Sequence, residues 1–183
     1  MKKICFFSGP CGVGKSTLAD AYARQLVDAG DCRQVYVIHG DDFHAGFVET
    51  QQRVGADCAG FMYWNDILRF NWECMLSVAE KVLDRGLDVV FDYVIEDELP
   101  LVRELARRYQ ARLYYVVLTA GQEIIRQRLT QRGDHGLIER ALFLKEKLEN
   151  MPENQGHLFD NSGLTVEEEL QALQMEQFEI PVD

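Results

Sequence analysis

Positive charge is scarce in this chain. Lysine and arginine together number 19 against 30 aspartates and glutamates, a formal net charge of −11. A surface so acidic repels nucleic acid and anionic membrane, which argues against both as partners. Proline is scarce too, with four residues among 183, and no low-complexity tract, repeat or linker breaks the chain. The five cysteines, Cys5, Cys11, Cys32, Cys58 and Cys74, are odd in number and form no CxxC pair. They make neither a disulfide framework nor a zinc pattern, and they suit a reducing compartment. Long apolar runs are missing as well. No window has the length of a membrane span, and the opening "KKICFFS" is too short for a signal peptide. The expectation is a single soluble, cytoplasmic domain covering 1–183.

What the chain does have is alternation. Apolar β-prone runs at 4–8, 35–39, 88–94, 112–118 and 157–160 are separated by helical patterns. Residues 15–29 put Leu18, Tyr22, Leu26 and Ala29 on one face. A helix over about 65–85 carries a stripe of Leu68, Trp72, Met75, Ala79 and Val82 and stops at Gly86. Pro100 suits the first turn of a helix that aligns Leu101, Leu105 and Tyr109. Helices over about 121–131 and 138–150 follow, and Thr165-Val-Glu-Glu168 is a capping-box pattern that opens the last one. Strands alternating with helices predict a parallel sheet covered on both faces.

Between the first strand and first helix stands "GPCGVGKST", residues 9–17. Gly9, Gly14, Lys15 and Ser16 satisfy G-x-x-x-x-G-K-[ST] in the required strand–loop–helix context. The glycines let the backbone curl, so that the N–H groups of Cys11, Gly12, Val13, Gly14, Lys15, Ser16 and Thr17 can surround phosphate oxygens, and the helix adds its positive end. Lys15 is suited to reach the β- and γ-phosphates, and the Ser16 hydroxyl to ligate Mg²⁺. ATP and Mg²⁺ are the implied cofactors.

In an open parallel sheet, ligands bind beyond the carboxyl ends of the strands. Asp92, closing "DVVFD", is assigned to the metal. Asp41, after "VYVIHG", is assigned to the acceptor hydroxyl, although the spacing alone does not separate it from Asp42. Arg128 and Arg132 lie four apart on one helix, where they repel unless an anion sits between them. With the segment 132–140 as a short lid, they are expected to balance transferring charge. "FDNSGLT" follows the last strand, and its topology would let Asn161 and Ser162 contribute to the nucleotide site. The stretch 44–63 has no clear period and is expected to be a loop or small helical insertion. The region 43–72 is rich in aromatics, of which Tyr63 and Trp64 are pocket candidates, whereas Trp72 belongs to the core. His44, Arg53 and Arg69 are the other polar residues expected to meet an acceptor.

These motifs together ("GPCGVGKST", "GDDFH", "VVFD", "RLTQR" and "DNSGLTVEE") resemble the P-loop small-molecule kinases: gluconate kinase, shikimate kinase and chloramphenicol phosphotransferase, with nucleoside monophosphate kinases more distant. The resemblance implies a three-layer α/β/α fold with a five-stranded parallel sheet in the order 2-3-1-4-5, and transfer of the γ-phosphoryl of ATP to a small-molecule hydroxyl. It also implies an acceptor-binding insertion over about 42–66. "GDDFH" is similar to the G-D-x-x-H of gluconate kinases, which places Asp41 and His44 at the acceptor. Ala45 departs from that pattern, where proline is usual. "DYVIED" lacks the arginine of nucleoside monophosphate kinases, against an acceptor that already carries a phosphate. The protein is expected to act on ATP and a small-molecule acceptor, as a monomer or homodimer. The other readings are a nucleotide-dependent ATPase or switch acting with a protein partner, and a nucleoside monophosphate kinase.

Overall fold

The computed structural model describes residues 1–30, 34–48 and 62–182. Arg53, Phe61 and most of the expected 42–66 insertion lie outside these residues.

The described chain runs β1 (Lys3–Ser8), α1 (Lys15–Asp28), β2 (Val35–His39), α2 (Asp41–Ala45), α3 (Trp64–Leu83), β3 (Asp88–Asp92), α4 (Leu99–Tyr109), β4 (Arg112–Thr119), α5 (Gln122–Arg132), α6 (Ile138–Asn150), β5 (Leu158–Asp160), α7 (Val166–Ala172) and β6 (Glu179–Ile180). The first five strands form a parallel sheet in the order β2-β3-β1-β4-β5. The expected order is therefore the one observed. β6 adds an antiparallel pairing to β4, with Leu113 opposite Ile180. A two-residue strand is too short to leave a period in the sequence.

The central strands are apolar throughout because both their faces are covered. On one face Phe6 stacks on Phe91 at 5.0 Å and on Trp72 at 5.9 Å, joined by Met75 and Tyr115. On the other, Phe7, Leu18, Tyr22, Leu26 and Val116 pack beneath α1. Trp72 is thus a core residue. α3 stops where Gly86 takes φ +76 and the Leu87 N–H reaches back to the Val82 carbonyl. The stripe expected on α4 is corrected. Leu101 faces solvent, and Leu99, Val102, Leu105 and Ala106 are the buried face, because positions 99, 102, 105 and 106 share one helical stripe and Leu101 falls outside it.

Candidate active site

The consequence of this topology is that β1 and β3 end side by side, with β2 next, so the loop after β1 and the residues after β2 and β3 share one rim. The loop at 9–17 curls as its sequence demands. Gly9, Gly12 and Gly14 all take positive φ, at +139, +83 and +94. Gly9 is confined twice over, since a Cβ there would lie 2.5 Å from the Leu118 carbonyl oxygen. The Lys15 ammonium folds onto the Pro10 carbonyl of its own loop at 3.2 Å. Ser16 and Thr17 stand exposed in the first turn of α1.

The far wall of the loop is built from the end of the chain. Asn161 is fully buried and donates its amide to Val13 O at 2.7 Å and to Glu169 Oε1 at 3.1 Å. Its side chain braces the loop, and Ser162 Oγ accepts from the Gly121 N–H at 2.8 Å. Arg128 donates to the carbonyls of Gly12 and Val13 at 3.4 and 3.3 Å. Arg132 pairs with Asp134 at 3.0 Å. The repulsion expected between these arginines is answered by separate partners, yet both line one cleft of about 420 Å³ with Gly14, Thr17, Leu164 and Glu169. Burial raises the Glu169 carboxyl above its ordinary range, against the pull of the Arg128 charge and the Asn161 hydrogen bond. α7 opens at this cleft through the full capping box of Thr165 and Glu168.

The expected lid at 132–140 is a compact turn: Gly133 caps α5 in the left-handed region, and residues 135–137 form one 3-10 turn before α6. Arg140, at the start of α6, is ion-paired with Glu96, and Lys147 joins the same carboxylate at 3.0 Å. Arg126 points elsewhere, toward Glu139 at 4.0 Å.

Across the rim, Asp92 closes β3 and is buried. Its partner was not anticipated from sequence: His39, the last residue of β2, lies in register with it and brings Nδ1 to 2.5 Å from Asp92 Oδ2. The other ring nitrogen, Nε2, sits 3.4 Å from Asp20 on α1. Burial opposes a charged His39, but the Asp92 hydrogen bond and the charges of Asp92, Asp20 and Asp42 outweigh it, so the imidazole titrates above its usual value. Ser16 and Asp92 offer hard oxygens, the donor chemistry of Mg²⁺, which takes one or two protein oxygens and completes its shell with water and phosphate. Among the described residues no group of three or more His, Cys, Asp or Glu is gathered to hold a metal unaided, and such a shared shell does not require one.

Asp41 is the first residue of α2 and is exposed. Its charge acts on the Tyr93 hydroxyl, which is pushed up chiefly by burial, then by Asp41 and Glu98, against the Asn71 hydrogen bond. Asp42 instead acts on His39. Behind Asp41, the Asn71 amide donates to His44 Nδ1 at 3.0 Å and to Tyr93 Oη at 3.1 Å. Trp64 meets the His44 ring edge-on at 5.6 Å, and Tyr63 and Trp64 are both exposed at the start of α3. Asn71 and Tyr93 were missed in the sequence. A polar residue within the apolar stripe of α3 was the available signal for Asn71. The Arg69 side chain is 82% exposed and pairs with Glu73, on the opposite face of α3 from Ile67, Asn71 and Met75.

Three similar solved structures match nearly the whole length of this chain at low identity. The APS kinase of Mycobacterium tuberculosis, determined with AMPPNP and APS, superposes with a TM-score of 0.63 at 19% identity, covering 96% of this chain and 98% of that one. The tunicamycin resistance protein of Deinococcus radiodurans gives 0.60 at 16% identity, with 99% of each chain covered. A gluconokinase from Sinorhizobium meliloti 1021 gives 0.56 at 18%, covering 97% of this chain and 91% of that one. No curated protein matches in sequence. Among the described residues, no helix is long and apolar enough to cross a membrane. The family model described as "AAA domain" matches residues 4–155. With the phosphate loop and the strand-end carboxylates Asp41 and Asp92 inside that match, the chain belongs to the AAA domain family, and its 2-3-1-4-5 sheet gives it the fold of the P-loop kinases.

Proposed function

We propose that the protein is an ATP-dependent phosphotransferase that moves the γ-phosphoryl group to a hydroxyl of a small molecule. The acceptor classes are sugar acids, shikimate-like acids, nucleosides and hydroxylated antibiotics. The observation that carries this reading is the shared rim: a phosphate loop on β1, Asp92 at the adjacent end of β3, and Asp41 immediately beyond β2. Phosphoryl transfer needs those parts, a cradle with a fixed positive charge and a carboxylate to orient the attacking hydroxyl. The kinase names among the structural neighbours support the same class.

In the reaction the acceptor oxygen bonds to the γ-phosphorus, the bond to the β–γ bridging oxygen breaks, and ADP leaves. Asp41 orients the hydroxyl and takes its proton. Lys15 leaves the Pro10 carbonyl to meet the phosphates, and Arg128 and Arg132, lining the nucleotide cleft, offset the charge of the transferring group. Ser16 and Asp92 would hold Mg²⁺, which would supply charge neutralisation to the phosphates. His44, Tyr63 and Trp64 contact the acceptor, and the turn at 132–140 serves as the lid. Gly9, Cys11, Gly12, Val13, Gly14 and Thr17 contribute through the loop backbone, Asn161 by bracing it at the Val13 carbonyl, and Ser162 by holding the Gly121 N–H beside it. The site is proposed to work in the cytoplasm without nucleic acid or membrane.

The test is ADP release from Mg·ATP over a panel of the four acceptor classes and nucleoside monophosphates. A hit that raises turnover in the native protein, and is lost in Asp41→Asn, is the expected result. Nucleotide binding with no response to any acceptor would refute the reading and leave an ATPase or switch.

A further inference from the structure

Asp92 does not stand alone at the end of β3. In a parallel pair, residues in register direct their side chains to the same face, and His39 and Asp92 are the register pair that ends β2 and β3. Both face α1, since their neighbours Ile38 and Phe91 belong to the core of the opposite face. The Asp92 side chain is 2% exposed and that of His39 29%, so the imidazole covers the carboxylate on its solvent side. The ring is fixed from both ends, by Asp92 Oδ2 at Nδ1 and by Asp20 at Nε2. Asp20 lies one helical turn beyond Ser16 on α1, on the same face of that helix.

We infer that His39 is a positioning residue for the metal site, holding the Asp92 carboxylate through an Nδ1–H···Oδ2 hydrogen bond so that Oδ1 is presented to Mg²⁺. This rests on the reading of Asp92 as a metal ligand. A buried carboxylate with one oxygen tied has one orientation, whereas the same group without its donor keeps a lone oxygen in search of a partner. The Nδ1–H donor exists in both the neutral Nδ1–H tautomer and the imidazolium, so the hydrogen bond is kept whether or not the ring is charged. Partners one step removed from a metal set its affinity by about 10–100-fold, and here the partner is a neighbouring strand, which ties the metal site to the pairing of β2 with β3.

The side chains that reach the Nδ1 and Nε2 positions of histidine differ, and this gives the test. Asparagine carries its amide N–H close to where Nδ1 stands, glutamine close to Nε2. Mn²⁺ is used as the metal probe, with ADP as the nucleotide. Binding of Mn²⁺ to the ADP complex is followed by electron paramagnetic resonance, and ADP binding alone is measured in EDTA. His39→Leu and His39→Gln are expected to weaken Mn²⁺ by roughly 10–100-fold, with metal-free ADP affinity unchanged. His39→Asn is expected to restore metal affinity to near the native value. Equal Mn²⁺ affinity in all three variants and the native protein would overturn the inference, as would a loss of metal-free ADP binding parallel to the loss of Mn²⁺, which is the mark of a merely structural residue. Asp92→Asn separates the two readings. If it leaves Mn²⁺ binding unchanged, the metal assignment of Asp92 falls and the role of His39 with it. If it abolishes Mn²⁺ binding while His39→Leu does not weaken it, only the role of His39 falls.

Discussion

Gly40 joins β2 to α2, and the prediction that follows from its surroundings is that alanine there is expensive although its backbone is ordinary. Its φ and ψ, −64° and −30°, suit alanine without strain, and exchanging glycine for alanine at such a site stabilises by about 0.4–1 kcal/mol through the unfolded chain. Packing decides the opposite. An added Cβ would stand 2.3 Å from Tyr93 Cδ2, 2.5 Å from Cγ of the same ring and 2.8 Å from Met75 Sδ. The ring cannot simply turn away, because Asn71 holds its hydroxyl at 3.1 Å and Trp72 lies edge-on at 5.7 Å. Overpacking of this kind costs about 1–3 kcal/mol. Taking the upper part of that range for a three-atom clash, the net expectation is a loss of about 2 kcal/mol, or about 4–8 °C in Tm for a chain of this size. Urea unfolding at equilibrium gives the number. A double-mutant cycle with Tyr93→Leu should recover part of the loss, since the ring is the main obstacle. A Gly40→Ala protein as stable as the native one, or more so, would refute the close approach of Gly40 to Tyr93.

Other outcomes test other parts of the structure. Thr165→Ala removes the side-chain half of the capping box and is expected to cost about 1 kcal/mol, read as a lower urea midpoint. An unchanged midpoint would mean that the α7 cap contributes nothing. His157 titrates below its ordinary value because burial disfavours its charge, with Arg103 adding to this and the Tyr115 carbonyl opposing it. Its contribution to stability is therefore present above the free-histidine pKa of about 6.5 and is lost as pH falls through the depressed value. An NMR titration of the ring should show a midpoint below that of free histidine, and one above it would contradict this. Arg69→Ala should leave both acceptor KM and turnover unchanged and shift stability by no more than about 0.5 kcal/mol, because the side chain faces solvent. A raised KM would contradict this and put Arg69 at the acceptor.

The sequence was most legible where one local rule governed. The glycine spacing of the phosphate loop, the capping box at Thr165 and the continuous apolar strands each appear as read, because each depends on neighbours in the chain. Leu101 shows the limit of helical period: three apolar residues at the right spacing lie across the edge of the real face, and only packing against the sheet chooses between them. His39, Asn71 and Tyr93 show a different limit. Their meaning lies in partners 53, 27 and 22 residues away. The pairing of His39 with Asp92 depends on the register of two strands, which no window along the chain contains. Arg128 and Arg132 were found by spacing, yet the loop carbonyls that Arg128 meets come from tertiary placement, whereas the partner of Arg132, Asp134, is two residues along the chain. β6 was invisible because two residues carry no pattern.

The central claim is that the phosphate held by this loop goes to a small-molecule hydroxyl, and following the phosphate itself tests it most directly. The native protein and Lys15→Ala are incubated with γ-labelled ATP, Mg²⁺ and the acceptor that most raises ADP release, and the products are separated. Label on the acceptor with the native protein, and none with a folded Lys15→Ala variant, is the predicted result. Label recovered only as inorganic phosphate, or acceptor labelled equally by both proteins, would contradict it.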